Sequence, residues 1–458
     1  MGHQSTQRRR RLKIWHGIVV LLLLLFVLFR ITGNYKLKKR IQALRSQGYP
    51  VTPAELESLY SIPDGATNAA DLYLNAFLSY VKWDNDALTT VPFVSKTSLP
   101  ARTEPLDDST RKLVEKFLSD NKKTLSLLHE AASIEHCQYP TNLAQQPTDF
   151  SQRTAPTTLW LKDLRTSAQL LCLESLYQSE SGEFGKALES IQASLALAKS
   201  IKPFFLFHRL IQIAIQGLTY NNVERILNRT QLTDEQLTAI SKLIKASDIN
   251  EGYRQALIGE QCFGLHTFRA PIAQSSNQLG PENGLQRLVL AFWKMLGLHD
   301  RDAVEHIDIM QDYIDAVELP NHERLAVFDS ITKDVHNGKR GSFFIRLLMP
   351  AFGRVIKIET RCLAHLRATQ TALVVERYRL AEGRLPQSLD NLVPAYMEAV
   401  PTDPFDGRSL RYRRLETGFV VYSVGEDLGD NGGAERGSRK RGPNGKPLPW
   451  DVTFIMER

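Results

Sequence analysis

Acidic residues are missing from the first 45 positions of this 458-residue chain, which carry eleven Lys and Arg. The net charge of +7 is therefore uneven, because the other 413 residues hold 46 cations against 50 acids, a net of −4. A nucleic-acid binder needs its positive charge on the folded domain, so the distribution speaks against nucleic acid and for a membrane surface. Cysteine is also scarce. Cys137, Cys172, Cys262 and Cys362 lie far apart with no C-x-x-C, which excludes a zinc knuckle and a redox dithiol. Buried thiols are the simplest role for them, and one disulfide, Cys137 with Cys172 first, stays open if the domain lies outside the cytoplasm. The chain lacks a Gly-rich phosphate loop, a G-x-S-x-G elbow and an H-E-x-x-H pair. Strand-like runs are weak before residue 400.

What is present begins with "KIWHGIVVLLLLLFVLFRI", set between "RRRRLK" and "TGNYKLKKR". At about 1.5 Å per residue, Ile14 to Ile31 reaches roughly 27 Å, enough to cross a thin bilayer core while Lys13 and Arg30 snorkel. No small-x-small cleavage site follows, so the segment is expected to stay as a signal anchor. The expected topology has residues 1–13 as a basic cytoplasmic tail, 14–31 across the membrane and the bulk of the chain outside, although the flanking charges nearly balance.

The middle reads as helical, an irregular all-α domain over 35–345 inside a mainly α protein. Thr52, Pro53 and Glu55 form a helix start, and Thr233 with Gln236 forms another. Residues 84–106 and 139–157 read as loops, with helical spacing over 107–134 and from Leu159 to Gln178. "LCLESLYQSESGEFGKALESIQASLALAK" resembles the turn and second helix of a tetratricopeptide repeat through Gly182, Phe184, Ala187 and Ile191. A single copy implies a lone hairpin, since a solenoid needs about three stacked repeats.

A helix over Pro350–Ala381 ending at Gly383 opens an expected C-terminal α+β module, 350–458, with strands at "SLRYRR", "FVVYSVG" and "DVTFIM". The order "GRLPQSLDNLVP", "VPTDPFDGRSLRY", "VYSVG", then Asp427, Gly432-Gly433 and Asp451-Val452 resembles the globular domain of the major pseudopilin of type II secretion systems. That resemblance implies a calcium ion held by the acidic loop, with Asp427 and Asp451 as ligands and Ser423, Glu426 and Asp430 as nearby oxygen donors. It also departs from the family. Ile18 to Leu22 after Gly17 contains no Glu, so prepilin processing and pilus assembly are not expected, and the basic insert "ERGSRKRGPNGK" would weaken cation binding nearby. The anchor and helical region resemble, more loosely, uncharacterised membrane-anchored bacterial proteins.

Two further clusters carry candidate chemistry. Asp302 and His306, four apart on one helix face with His299 a turn earlier, have metal-ligand residue types, against the plainer role of a solvated charged face. Glu260, Cys262 and His266 hold the ingredients of acid–base or nucleophilic chemistry, against a buried thiol with ordinary neighbours. Two function classes follow. One is a non-enzymatic envelope protein that binds protein partners beside the lipid bilayer. The other is a membrane-bound hydrolase assembled from Glu260, His266, His299 or His306, whose substrate the sequence does not name. A deep cleft joining three of these would favour the hydrolase.

Overall fold

A leucine-rich run with no proline forms helix α1, Gly2–Ser46, in the computed structural model, which describes residues 2–83, 91–94, 101–140, 150–248, 252–270, 284–349, 352–435 and 449–458. The helix changes environment along its length. Ile14, Trp15, Ile18 to Leu28 and Ile31 are exposed, whereas Leu37, Ile41 and Leu44, at helical spacing, are buried. Among the described helices this is the one long and apolar enough to cross a membrane. It stops at Gly48, φ +81°, where the Tyr49 N–H reaches back to the Leu44 carbonyl at 3.0 Å.

The folded body is mainly helical. Helices α2 (Pro53–Ser58), α3 (Ala70–Ser79), α4 (Asp108–Asp120), α5 (Lys122–Ala132), α6 (Phe150–Glu180), α7 (Phe184–Ser200), α8 (Leu206–Arg229) and α9 (Asp234–Ala246) lead to α10 (Gly252–Arg269) and α11 (Gly284–Met295). Then come α12 (Leu298–Ala316), α13 (Asn321–His336), α14 (Phe343–Leu348) and α15 (Phe352–Glu382). The expected starts hold: Thr52 accepts from the Glu55 N–H, and Thr233 and Gln236 cap each other reciprocally. Two boundaries differ from expectation. The stretch 107–134 is broken at Asn121, fully buried, whose side chain pairs with both the N–H and the carbonyl of Val81 at 2.9 and 3.2 Å. Helix α6 begins at Phe150 instead of Leu159, so its first turns occupy part of the expected loop. Residues 141–149 of that loop, most of 84–106, most of the breaker before α11 and most of the basic insert lie outside the described residues.

Two large apolar cores lie side by side. One gathers α3 to α9, the C-terminal half of α15 and the sheet; the other gathers Leu37, Ile41 and Leu44 of α1 with α10 to α14 and the start of α15. Helix α15 belongs to both, with Phe352, Val355 and Ile356 in the second and Leu366, Leu373, Val375 and Tyr378 in the first. The hairpin α6–α7 turns at Gly182, φ +81°, and α7 buries Ala187, Ile191, Ser194, Leu195 and Ala198 while Gly185, Lys186, Glu189, Gln192 and Lys199 are exposed. The four cysteines are free thiols, three of them buried.

After α15 a short 3-10 turn, Leu389–Leu392, leads to an antiparallel sheet in the order β1 (Arg411–Arg414), β2 (Phe419–Ser423), β3 (Val452–Met456). No gap in packing marks the expected boundary near 350. Phe419, Val421, Phe454 and Met456 share one core with α3 to α9. The outer edge of β3 is covered by α8, where Asn228 donates to the Ile455 carbonyl at 2.8 Å and accepts from the Glu457 N–H at 2.8 Å, an amide standing in for a fourth strand.

Candidate cation site in the C-terminal loop

Strand β2 delivers the chain into the loop Val424–Ala434, and a buried carboxylate fixes its take-off. Asp403 is fully buried and accepts from the Phe405 and Val424 N–H groups, the Ser423 hydroxyl and the Arg411 guanidinium, all at 2.7 to 2.9 Å. Four donors satisfy a charge that would otherwise be costly to bury. Asp403 was not singled out from the sequence. Its signal is the Asp-Pro-Phe-Asp-Gly string, in which an Asp side chain closes a turn on the N–H two residues later.

Past that point the loop folds around Asn431. Its side-chain nitrogen lies 3.3 Å from an Asp427 oxygen, 3.0 Å from the Gly429 carbonyl and 3.3 Å from an Asp451 oxygen. Asp427 also accepts from the Gly429 N–H at 3.1 Å, and Asp451 from the Gly433 N–H at 2.7 Å. Burial pushes the Asp451 carboxyl above its ordinary range, partly countered by the Gly433 and Asn431 N–H groups. An amide nitrogen has two hydrogens, so three oxygen acceptors converge on too few donors. Turned over, the same amide would add a fourth oxygen, giving the oxygen-only set that a hard cation prefers.

The two expected ligands, Asp427 and Asp451, are thus brought together, and the three nearby donors are not. Ser423 turns to Asp403, Glu426 pairs with Arg361 on α15, and Asp430 accepts from the Tyr422 hydroxyl at 3.0 Å. Among the described residues no group of three His, Cys, Asp or Glu stands close enough to hold a metal, so any ion here would rest on two carboxylates, carbonyl oxygen and water.

The residues of the other two clusters are buried or half-buried. Asp302 accepts from the Trp293 indole at 2.7 Å and the Ser342 hydroxyl at 2.8 Å, and His306 sits against Gly264, where a Cβ would lie 2.1 Å from its ring. Both are buried, so this stretch of α12 is an interior face and not the solvated one its charges suggest. Burial pushes the His306 imidazole down to about 4. Glu260 caps the first turn of α8, accepting from the Leu206 N–H at 3.1 Å, while Cys262 is enclosed by Leu56 and Phe204 and its thiol is pushed up to about 12 by burial. Of the clefts among the described residues, one lies beside Tyr139, Trp160 and His208 and another beside Arg209, Tyr220 and Glu359, each of ≈ 30 Å³, about one water. Glu260, His266, His299 and His306 line neither.

No protein-family profile, curated protein or solved structure matches the chain.

Proposed function

We propose that the chain is a single-pass, membrane-anchored protein of the bacterial envelope that works by binding protein partners outside the cytoplasm and not by catalysis. The observation that carries this reading is α1: an exposed apolar run from Ile14 to Ile31 continues, in one unbroken helix, into the buried Leu37, Ile41 and Leu44. Such a helix has no covered place for its first half except a lipid bilayer. Against catalysis stand the uses already found for the titratable groups, with Glu260 a cap, Asp302 a buried acceptor and Cys262 an enclosed thiol.

The pseudopilin likeness of the tail is supported by element order, a long helix followed by a three-stranded antiparallel sheet with an acidic loop before the last strand. On this reading the loop holds calcium through Asp427 and Asp451, which would staple β3 to the hairpin β1–β2. A link to a secretion or pilus-like system rests on that likeness.

The test is made on the full chain expressed in bacteria. Alkaline carbonate should leave it in the membrane pellet, a reporter active only in the cytoplasm should be silent when fused after Arg458, and a photo-crosslinker on the exposed body should trap a discrete envelope protein. A soluble chain or an active reporter would overturn the anchor or its orientation. A well-anchored chain that crosslinks to nothing would overturn the partner-binding role.

A further inference from the structure

Leu288, Val289, Phe292, Met295 and Leu296 are between 39% and 59% exposed, and at helical spacing they fall on one arc of α11 and its final turn. The other arc is apolar as well: Leu290 and Trp293 are buried, with the Trp293 ring 4.5 Å from Phe344 and 5.9 Å from Phe268. A helix on the surface of a soluble body turns a polar face outward, and this one does not. Single exposed leucines are ordinary, but five large apolar groups on one arc are not.

The position of α11 says what covers that arc. Arg30 of α1 donates to the Lys294 carbonyl at 2.8 Å, and the Arg301 guanidinium stacks on Phe29 at 4.9 Å. The corner between α11 and α12 is Gly297, φ +76°, so close to α1 that a Cβ would lie 2.5 Å from Arg30. From this corner α12 runs parallel to α1, with Asp300 and Arg301 beside Gly33 and Asp308 paired with Arg40 at 2.8 Å. The start of α12 is therefore level with the end of the exposed apolar run of α1, and α11 joins it there. Phe343, 65% exposed, extends the patch beside Phe344, while Lys36 and Arg301 are exposed near the corner, as cations facing lipid phosphates are.

We propose that α11, together with Phe343, lies in the headgroup and acyl boundary of the bilayer that α1 crosses, a second membrane contact that rests on the anchor reading. The test uses the full chain in phosphatidylcholine and phosphatidylglycerol vesicles, with an environment-sensitive fluorophore attached to Phe292→Cys. Leu23→Cys serves as the control inside the anchor and Leu78→Cys, on α3 and 86% exposed, as the control in water. The unmutated chain, whose thiols are buried or half-buried, sets the labelling background. Lipids carrying an acyl-chain nitroxide should quench the probe at 292 several-fold more than at 78 and nearly as much as at 23, and Val289→Cys should repeat the result from the same arc. Quenching at 23 with none at 292 and 289 overturns the proposal and leaves the anchor standing. A blue-shifted but unquenched probe at 292 assigns the arc to a protein surface and overturns it too, whereas no quenching at 23 removes the anchor itself.

Discussion

Half-buried Glu260 and buried His306 are titratable groups with opposite consequences for stability. Burial raises the Glu260 carboxyl to about 7, partly countered by the Leu206 N–H. A carboxyl whose folded value lies above its unfolded one contributes fully at low pH and loses that contribution as pH rises through about 7. Glu260→Gln keeps the acceptor for Leu206 but removes the charge. Its stability should match the parent below about pH 4.5 and exceed it at pH 8, by on the order of 2 kcal/mol after allowance for partial exposure, with the melting temperature rising accordingly. His306 has the reverse sign: depressed to about 4, it stabilises above its unfolded value and loses that stability as pH falls towards 4. His306→Gln should therefore flatten the drop in stability between pH 7 and pH 5, by on the order of 1 to 2 kcal/mol, as read from melting curves. Parallel pH curves for parent and variant would refute either assignment. In the loop, calcium near 2 mM acting on a site with a dissociation constant near 10⁻⁴ M would add about 2 kcal/mol, a few degrees of melting temperature. Asp427→Asn should abolish that calcium response while leaving the calcium-free melting point nearly unchanged. A chelator-treated chain indifferent to calcium would reduce the loop to a glycine-and-aspartate turn.

Local rules predict elements whose cause is local. The caps at Thr52 and Thr233, the long apolar helix and the three strands could be read from neighbouring residues, because each depends on its own stretch of sequence. Asn121 could not, since its break in the helix is set by Val81, forty residues earlier. The same holds for Asp302, whose partner Ser342 lies forty residues later and turns a charged-looking stretch inward. The meeting of Asp427 and Asp451 was expected from likeness, but the hub Asp403 was missed because its four donors come from three separate strings of sequence. At this scale the Asn228 clip on β3 is the most testable contact. Asn228→Ala leaves the Ile455 carbonyl and the Glu457 N–H without partners at the sheet edge, which should cost about 1 to 3 kcal/mol in a denaturant melt. A cost near zero would mean that water replaces the clip freely. Because β2 and β3 share their core with α3 to α9, a fragment beginning at Gly353 would expose that apolar surface and is expected to aggregate.

Considered whole, the molecule joins its exposed apolar run to its folded body without leaving the helix, because α1 carries one into the other. Lys36, Lys38, Lys39 and Arg40 are exposed at that junction and offer trypsin its preferred residues. A protease needs several residues of unfolded chain, so trypsin should leave the body attached to vesicles under native conditions and release it only near the unfolding transition. Rapid release of an intact body would show that the helix is broken there. If the junction holds, the unbroken helix alters the arithmetic of meeting a partner. A domain on a loose tether explores a broad hemisphere of orientations and gives up most of them on docking. On the proposed anchoring, this one would diffuse as an oriented object in two dimensions, with one face always turned to the same height above the lipid. Partners confined to that bilayer would lose little further rotational freedom on contact, so weak interfaces suffice for them, whereas a freely diffusing partner gains far less from the arrangement.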